Sequence, residues 1–184
     1  MQGGYEAAIR GAQLGAKIYL IERDKVGGTC LNRGCIPTKT YFRNAEIMHT
    51  LKRAEEYGIH VDNYRLDGKA LKERKEKVVS QLVKGIEQLI SSYKNIEFIR
   101  GKGKLKDEKT VVVDLNDGTS REIRVDNIVI ATGSKAVMTE TKGVDLEDVI
   151  TSDEILELEE IPETLIVIGG GVIGLEFASI YQEL

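Results

Sequence analysis

Cys30 and Cys35 are the only two cysteines in a chain of 184 residues, and both fall in GGTCLNRGCIPTK, residues 27–39. Gly27, Gly28, Gly34 and Pro37 fence them. Metal binding, a structural staple and reversible redox chemistry all use paired cysteines. A zinc site needs about four nitrogen or sulfur ligands. The chain adds only His49 and His60, at no ligand spacing, so no metal is expected. A staple is a weak reading too, because closing so short a loop removes little chain entropy. In a regular helix, residues five apart are separated by more than ~7 Å along the axis. A disulfide wants Cα atoms within ~6.8 Å. A bond between these cysteines therefore needs backbone that leaves the helix, which Gly28 and Gly34 permit. Pro37 biases Ile36 away from helix and suits the first turn of a helix that follows. The dipole of that helix favours a thiolate at its N-terminus, most directly on Cys35. The pattern points to reversible redox.

A second candidate lies near the other end. Gly169, Gly171 and Gly174 form G-x-G-x-x-G between a predicted strand and a predicted helix. One glycine makes a tight turn, one lets backbone approach a pyrophosphate, and one lets helix and strand pack closely. The free N–H groups of the helix then face the phosphates. At the start of the chain, Gly3-Gly4-Tyr5-Glu6-Ala7-Ala8 reads as the tail of another such turn, with Gly4 as its third glycine. Glu22 follows at about the spacing of a ribose-binding acid.

The elements that must position these residues are legible from periodicity. Residues 5–14 read as a short helix ended by Gly15, and residues 16–21 (AKIYLI) as a buried parallel strand. Residues 37–57 show helical spacing, with Gly58 as the stop. Residues 68–93 form a longer amphipathic helix carrying Leu71, Val78, Val79, Leu82, Val83, Ile86, Leu89 and Ile90 on one stripe. Strands are expected at 96–100, 110–115, 122–125 and 128–131, with Asn116-Asp117-Gly118 as a hairpin turn. Thr151-Ser152-Asp153-Glu154 reads as a capping box opening a short helix that Pro162 breaks. Residues 164–168 read as a buried strand leading into the glycine turn and a last helix.

Composition narrows the function classes. Thirty acidic against 26 basic residues give a net charge of −4, which offers no electrostatic reason to bind nucleic acid or anionic lipid. The basic run at 69–77 is interleaved with acids and reads as a solvated helix face. No apolar stretch approaches the ~18 residues of a membrane span, and the N-terminus resembles no targeting peptide. Cytoplasm is the expected compartment. A cysteine pair there is more often redox-active or metal-binding than a staple.

Residues 27–37 resemble the active-site signature of the FAD-dependent pyridine nucleotide–disulfide oxidoreductases. Ala131-Thr132-Gly133-Ser134 is similar to that family's ATG stretch beside FAD, and residues 169–174 to its NAD turn. The resemblance runs along essentially the whole chain. It implies an α/β fold: a FAD-binding Rossmann-like domain over 1–145 with a β-meander and its first strand missing, then the beginning of an NAD-binding Rossmann-like unit over 146–184. It implies that Cys30 exchanges with substrate and that Cys35 is the thiolate against the flavin. Lys39 would lie beside the flavin as the ion-pair partner of a buried Glu176. Gly4, Glu22, Gly28, Thr29, Gly103, Thr132, Gly133 and Ser134 would contact FAD, and Gly169, Gly171, Gly174 and Glu176 would line the NAD site.

The stretch CLNRGCIPTK most resembles members that oxidise dihydrolipoamide. Their partners would be a second subunit and the lipoyl domain of a 2-oxoacid dehydrogenase or glycine cleavage complex. Glutathione- and mercuric-reductase-type members are the nearest alternatives. Lys135-Ala136-Val137-Met138 departs from the family's usual prolines. The first phosphate turn, the rest of the NAD domain and the interface domain with its His–Glu dyad fall outside these residues. A non-catalytic fragment that cannot hold FAD is therefore the rival expectation.

Overall fold

The computed structural model describes residues 2–138 and 140–184. They form two compact units, one of residues 2–32 with Gln81–Ser134 and one of Arg33–Ser80 with residues 135–138 and 140–184.

In the first unit, helix α1 (Gln2–Gln13) buries Ala8 and Ala12 and packs on strand β1 (Ile18–Glu22). Small residues allow a close approach. At Gly11 an added Cβ would meet Ile18 Cδ1 at 2.8 Å. Asn95 donates to the carbonyls of Ala12 and Ala16, at 2.9 and 2.8 Å, fixing the turn between α1 and β1. β1 pairs in parallel with the first half of β2 (Ile96–Leu105), Ile18 opposite Ile96 and Glu22 opposite Arg100. The second half of β2 pairs antiparallel with β3 (Thr110–Leu115), which pairs with β4 (Ser120–Arg124). Gly101 marks the switch; a Cβ there would lie 2.5 Å from the Asp114 carbonyl oxygen. The hairpin turn is the expected one, with Gly118 at φ +85° and Asp117 accepting from the Thr119 N–H at 2.9 Å. Ile99, Val113 and Ile123 make the core of this sheet.

The second unit is built on helices. α3 (Cys35–Lys52) is followed by a 3-10 turn, Ala54–Tyr57, that Gly58 ends at φ +72°. α4 (Gly68–Ser91) gives its first half to this unit and its second half to the other. α5 (Val172–Glu183) packs on α3. The core joins Tyr41, Ala45, Leu71, Ile155, Leu156, Phe177 and Ile180. Each large side chain buried there is worth about 1.5–3 kcal/mol by removal from water. The two phenols find partners. Tyr41 donates to the Leu156 carbonyl at 2.9 Å and Tyr181 to the Ile155 carbonyl at 2.8 Å. Burial drives both hydroxyl pKa values up, Tyr181 to about 12. Lys75, almost fully buried, reaches the Glu157 carboxylate at 2.7 Å, as a buried cation must.

Several expectations need correction. Residues 128–131 and 164–168 form no strand. A strand is held by its ladder, and the sheet order β1-β2-β3-β4 places no described strand beside either segment. Ile130 and Ile166 are accordingly 68% and 84% exposed. The capping box forms by halves. Glu154 accepts from the Thr151 N–H at 2.6 Å, whereas the Thr151 hydroxyl turns to Glu154's own carboxylate and to the Asp153 N–H. The helix it opens is one 3-10 turn, Glu154–Glu157, ended by the extended Leu158 and not by Pro162.

Candidate functional site

Gly27 and Gly28 hold φ of +98° and +70°, the left-handed region that glycine occupies without penalty. They turn the chain after β1 into the short helix α2 (Gly28–Arg33). Val26 and Leu31 are buried on either side, and a Cβ on Gly27 would lie 2.2 Å from Leu31 Cδ2. Cys30 is half-buried on α2, and Thr29 beside it is exposed. Spacing gave no role to two neighbours of this turn. Asn32 donates from Nδ2 to the Val26 and Gly28 carbonyls, at 2.9 and 3.0 Å. Tyr5, one residue after Gly4 on α1, has its hydroxyl pKa raised by burial first, then by Glu6 and by Cys30. The position of Tyr5 directly after the glycines was the only signal for it. Glu22 sits at the C-terminal end of β1, the end of a parallel strand where ligands bind, and accepts from the Asp24 N–H at 3.0 Å.

In the second unit, Cys35 is exposed as the first residue of the 18-residue α3. Both cysteines are thiols. Gly34, at φ −132° and ψ −117°, separates α3 from α2, so the stretch does leave the helix between the cysteines. The helix starts two residues before Pro37, which falls in its first turn, where a missing N–H costs nothing. Thr38 N–H closes that turn onto the Gly34 carbonyl at 3.0 Å. Gly34 caps α3 without a side-chain hydrogen bond, which leaves the first N–H groups for an anion. Lys39, one turn on, meets Glu176 of α5 with 3.6 Å between charged ends. The pair was expected to be buried. The side chains are 65% and 42% exposed, so its charges remain hydrated and their attraction is worth about 0–1 kcal/mol.

The second glycine turn leads into α5 with three of its glycines open, although no strand precedes it. Gly169 sits at φ +113°, and nothing lies within 4 Å of where a Cβ would point on Gly169, Gly170 or Gly171. Gly171 caps α5 without a side-chain bond. A Cβ on Gly174 would press on Val167 at 2.8 Å, the close-packing role of a third glycine. Gly133, at φ +70°, is exposed with Thr132 and Ser134. Gly103 is exposed on β2 and makes only ordinary contacts, so Gly101 is the glycine this strand requires sterically. Gly4 lies in the first turn of α1 beside Gly3, whose Cβ direction is also open.

Residues 2–184 match the family described as pyridine nucleotide-disulphide oxidoreductase. The chain is 44% identical over 182 residues to a dihydrolipoyl dehydrogenase of Chlamydia pneumoniae, covering 98% of this chain and 38% of that protein. It is 38% identical over 189 residues to one from Bacillus subtilis, covering 98% of this chain and 40% of that protein. Against a mitochondrial one from Dictyostelium discoideum it is 42% identical, covering 99% and 38%. The chain thus spans about two fifths of the length of the curated relatives it matches. Among solved structures it is similar to LpdA of Mycobacterium tuberculosis, with a TM-score of 0.89, 26% identity, and 99% of this chain on 40% of that one. The HOCl-induced flavoprotein disulfide reductase RclA of Escherichia coli gives a TM-score of 0.82 at 29% identity, over 99% and 38%. The mixed α/β fold is that of the FAD-binding, Rossmann-like part of these reductases. With its glycine turns, its cysteine pair and this match along nearly its whole length, the chain belongs to the pyridine nucleotide–disulphide oxidoreductase family.

Proposed function

We propose that this chain supplies the disulfide and the dinucleotide turns of an enzyme that oxidises protein-bound dihydrolipoamide and reduces NAD. The observation that carries the reading is the pair of thiols set around a glycine break, Cys30 on a stapled turn and Cys35 at the head of an 18-residue helix. The relatives named dihydrolipoyl dehydrogenase support the choice of substrate. Residues 1–145 then belong to the FAD-binding part and 146–184 to the start of the NAD-binding part.

The open, positive-φ glycines and the caps without side-chain bonds suit two dinucleotides. Gly4, Glu22, Gly28, Thr29, Gly103, Thr132, Gly133 and Ser134 would hold FAD, with Glu22 on the adenosine ribose. Gly169, Gly171, Gly174 and Glu176 would hold NAD. Bound FAD supplies a two-electron acceptor between the thiols and NAD.

In the oxidised enzyme Cys30 and Cys35 share a disulfide. A dihydrolipoamide thiolate attacks the Cys30 sulfur, and the Cys30–Cys35 bond breaks. The second substrate thiolate then attacks the mixed disulfide, releasing lipoamide and leaving two reduced cysteines. Cys35, at the N-terminus of α3, would be the thiolate that passes electrons to FAD, and Lys39, paired with Glu176, would help hold that cofactor. FAD and NAD would together take up the electron pair that the two thiols release, and solvent would take up the proton left over. The lipoyl domain of a 2-oxoacid dehydrogenase or glycine cleavage complex, a second subunit as homodimer partner and a cytoplasmic setting complete the proposal.

Spectra and turnover of cysteine variants of the holoenzyme test it. Cys30→Ser should show a long-wavelength thiolate-to-flavin band without reductant and lose lipoamide turnover. Cys35→Ser should lose the band. The reverse pattern would overturn the assignment, and brisk turnover of glutathione disulfide in place of lipoamide would move the substrate to another class.

A further inference from the structure

Asn32 ties down both shoulders of the turn that precedes Cys30. Its Nδ2 donates to the carbonyls of Val26 and Gly28, at 2.9 and 3.0 Å, and the left-handed Gly27 lies between them. Its Oδ1 is buried and accepts no hydrogen bond. The orientation of the amide is forced, because the reverse would set its oxygen against two carbonyl oxygens. A buried acceptor without a partner is a cost, so the value of this side chain lies in its donor end. α2 has six residues, too few to hold a helix by its own bonds. Cys30 rides on that helix, half-buried.

We propose that Asn32 is a positioning residue for Cys30. By bonding the Val26 and Gly28 carbonyls it fixes α2 and limits how far the Cys30 sulfur opens to an incoming thiol or disulfide. The inference takes from the proposed function only that Cys30 is the exchanging cysteine.

Alkylation of the reduced holoenzyme with limiting iodoacetamide tests it. The thiolate sulfur bonds the methylene carbon and iodide leaves, and mass spectrometry gives the rate at Cys30 relative to Cys35. Asn32→Asp keeps the shape and removes the donor. At about pH 8 its carboxylate faces two carbonyl oxygens, the turn loosens, and the Cys30-to-Cys35 ratio rises about fivefold over the unaltered enzyme. At about pH 5 a larger share of the carboxyl is protonated, and the acid form donates one hydrogen bond and brings the ratio part of the way back. Packing alone would not respond, since Asn and Asp have the same shape. A ratio within about twofold of the unaltered enzyme at both pH values would overturn the proposal. Should the variant not fold, hydrogen exchange of the unaltered enzyme decides. The amides of Asn32 and Arg33 are expected to be protected, and exchange at the rate of an unstructured chain would refute the tie. Failure of the lipoamide reading would appear in turnover and leave this ratio unmoved.

Discussion

Gly27 and Gly169 both hold positive φ, at +98° and +113°, and their surroundings differ in kind. The turn at Gly27 is packed between buried Val26 and Leu31 and stapled by Asn32. The turn at Gly169 is bare. Its flanking Ile168, Val172 and Ile173 are exposed, and of its glycines only Gly174 leaves no room for a Cβ, which would lie 2.8 Å from Val167 Cγ1. The first turn positions a sulfur, which needs one geometry. The second offers open backbone and a helix N-terminus, which suit a phosphate-bearing ligand. Glycine serves rigidity in one place and access in the other.

That contrast can be broken by substitution, and the largest effect is expected at the packed turn. Gly27→Ala puts a methyl 2.2 Å from Leu31 Cδ2 at a φ that alanine avoids. Chemical denaturation should show a loss of about 2–4 kcal/mol. Gly169→Ala meets no atom and pays only for its dihedral, so about 1–2 kcal/mol is expected in the same assay. Tyr41→Phe leaves the buried Leu156 carbonyl without its donor and should cost about 1 kcal/mol. Gly170→Ala, in open space at an ordinary φ, should stay within about 0.5 kcal/mol. Equal losses at Gly27 and Gly170 would erase the distinction.

The smallest effect concerns acid. The Thr151 hydroxyl, then the Thr151 N–H, hold the Glu154 carboxyl below its ordinary 4.5. A carboxyl depressed in the folded protein stabilises it fully above the unfolded value, and the contribution fades as pH falls through the folded one. Glu154→Gln should therefore flatten part of the acid limb of stability below about pH 4.5, with no change of slope near neutrality. An unchanged acid limb would show that the Thr151–Glu154 contact carries no stability.

The same difference explains what was legible in the sequence. The cysteine turn needs only neighbours in sequence, so Gly27, Gly28, Gly34 and Pro37 announced it. The hairpin at Asn116-Asp117-Gly118 and the stop at Gly58 were readable for the same reason. Residues 128–131 and 164–168 have the apolar run of a strand, but a ladder depends on a partner that no local pattern reveals. Asn32 lay inside the quoted stretch and stayed silent, because its bonds run to carbonyls that every residue carries. The spacing of Lys39 and Glu176 came from family resemblance, and their exposure came only from the structure.

On the proposed function, Cys30 and Cys35 form one reversible disulfide. Peptide mapping of the holoenzyme, alkylated before and after one equivalent of dihydrolipoamide, tests it directly. A Cys30–Cys35 cross-link is expected in the oxidised enzyme, and two alkylated cysteines at those positions after reduction. Two cysteines alkylated in the oxidised enzyme, or a cross-link that survives dihydrolipoamide, would contradict it.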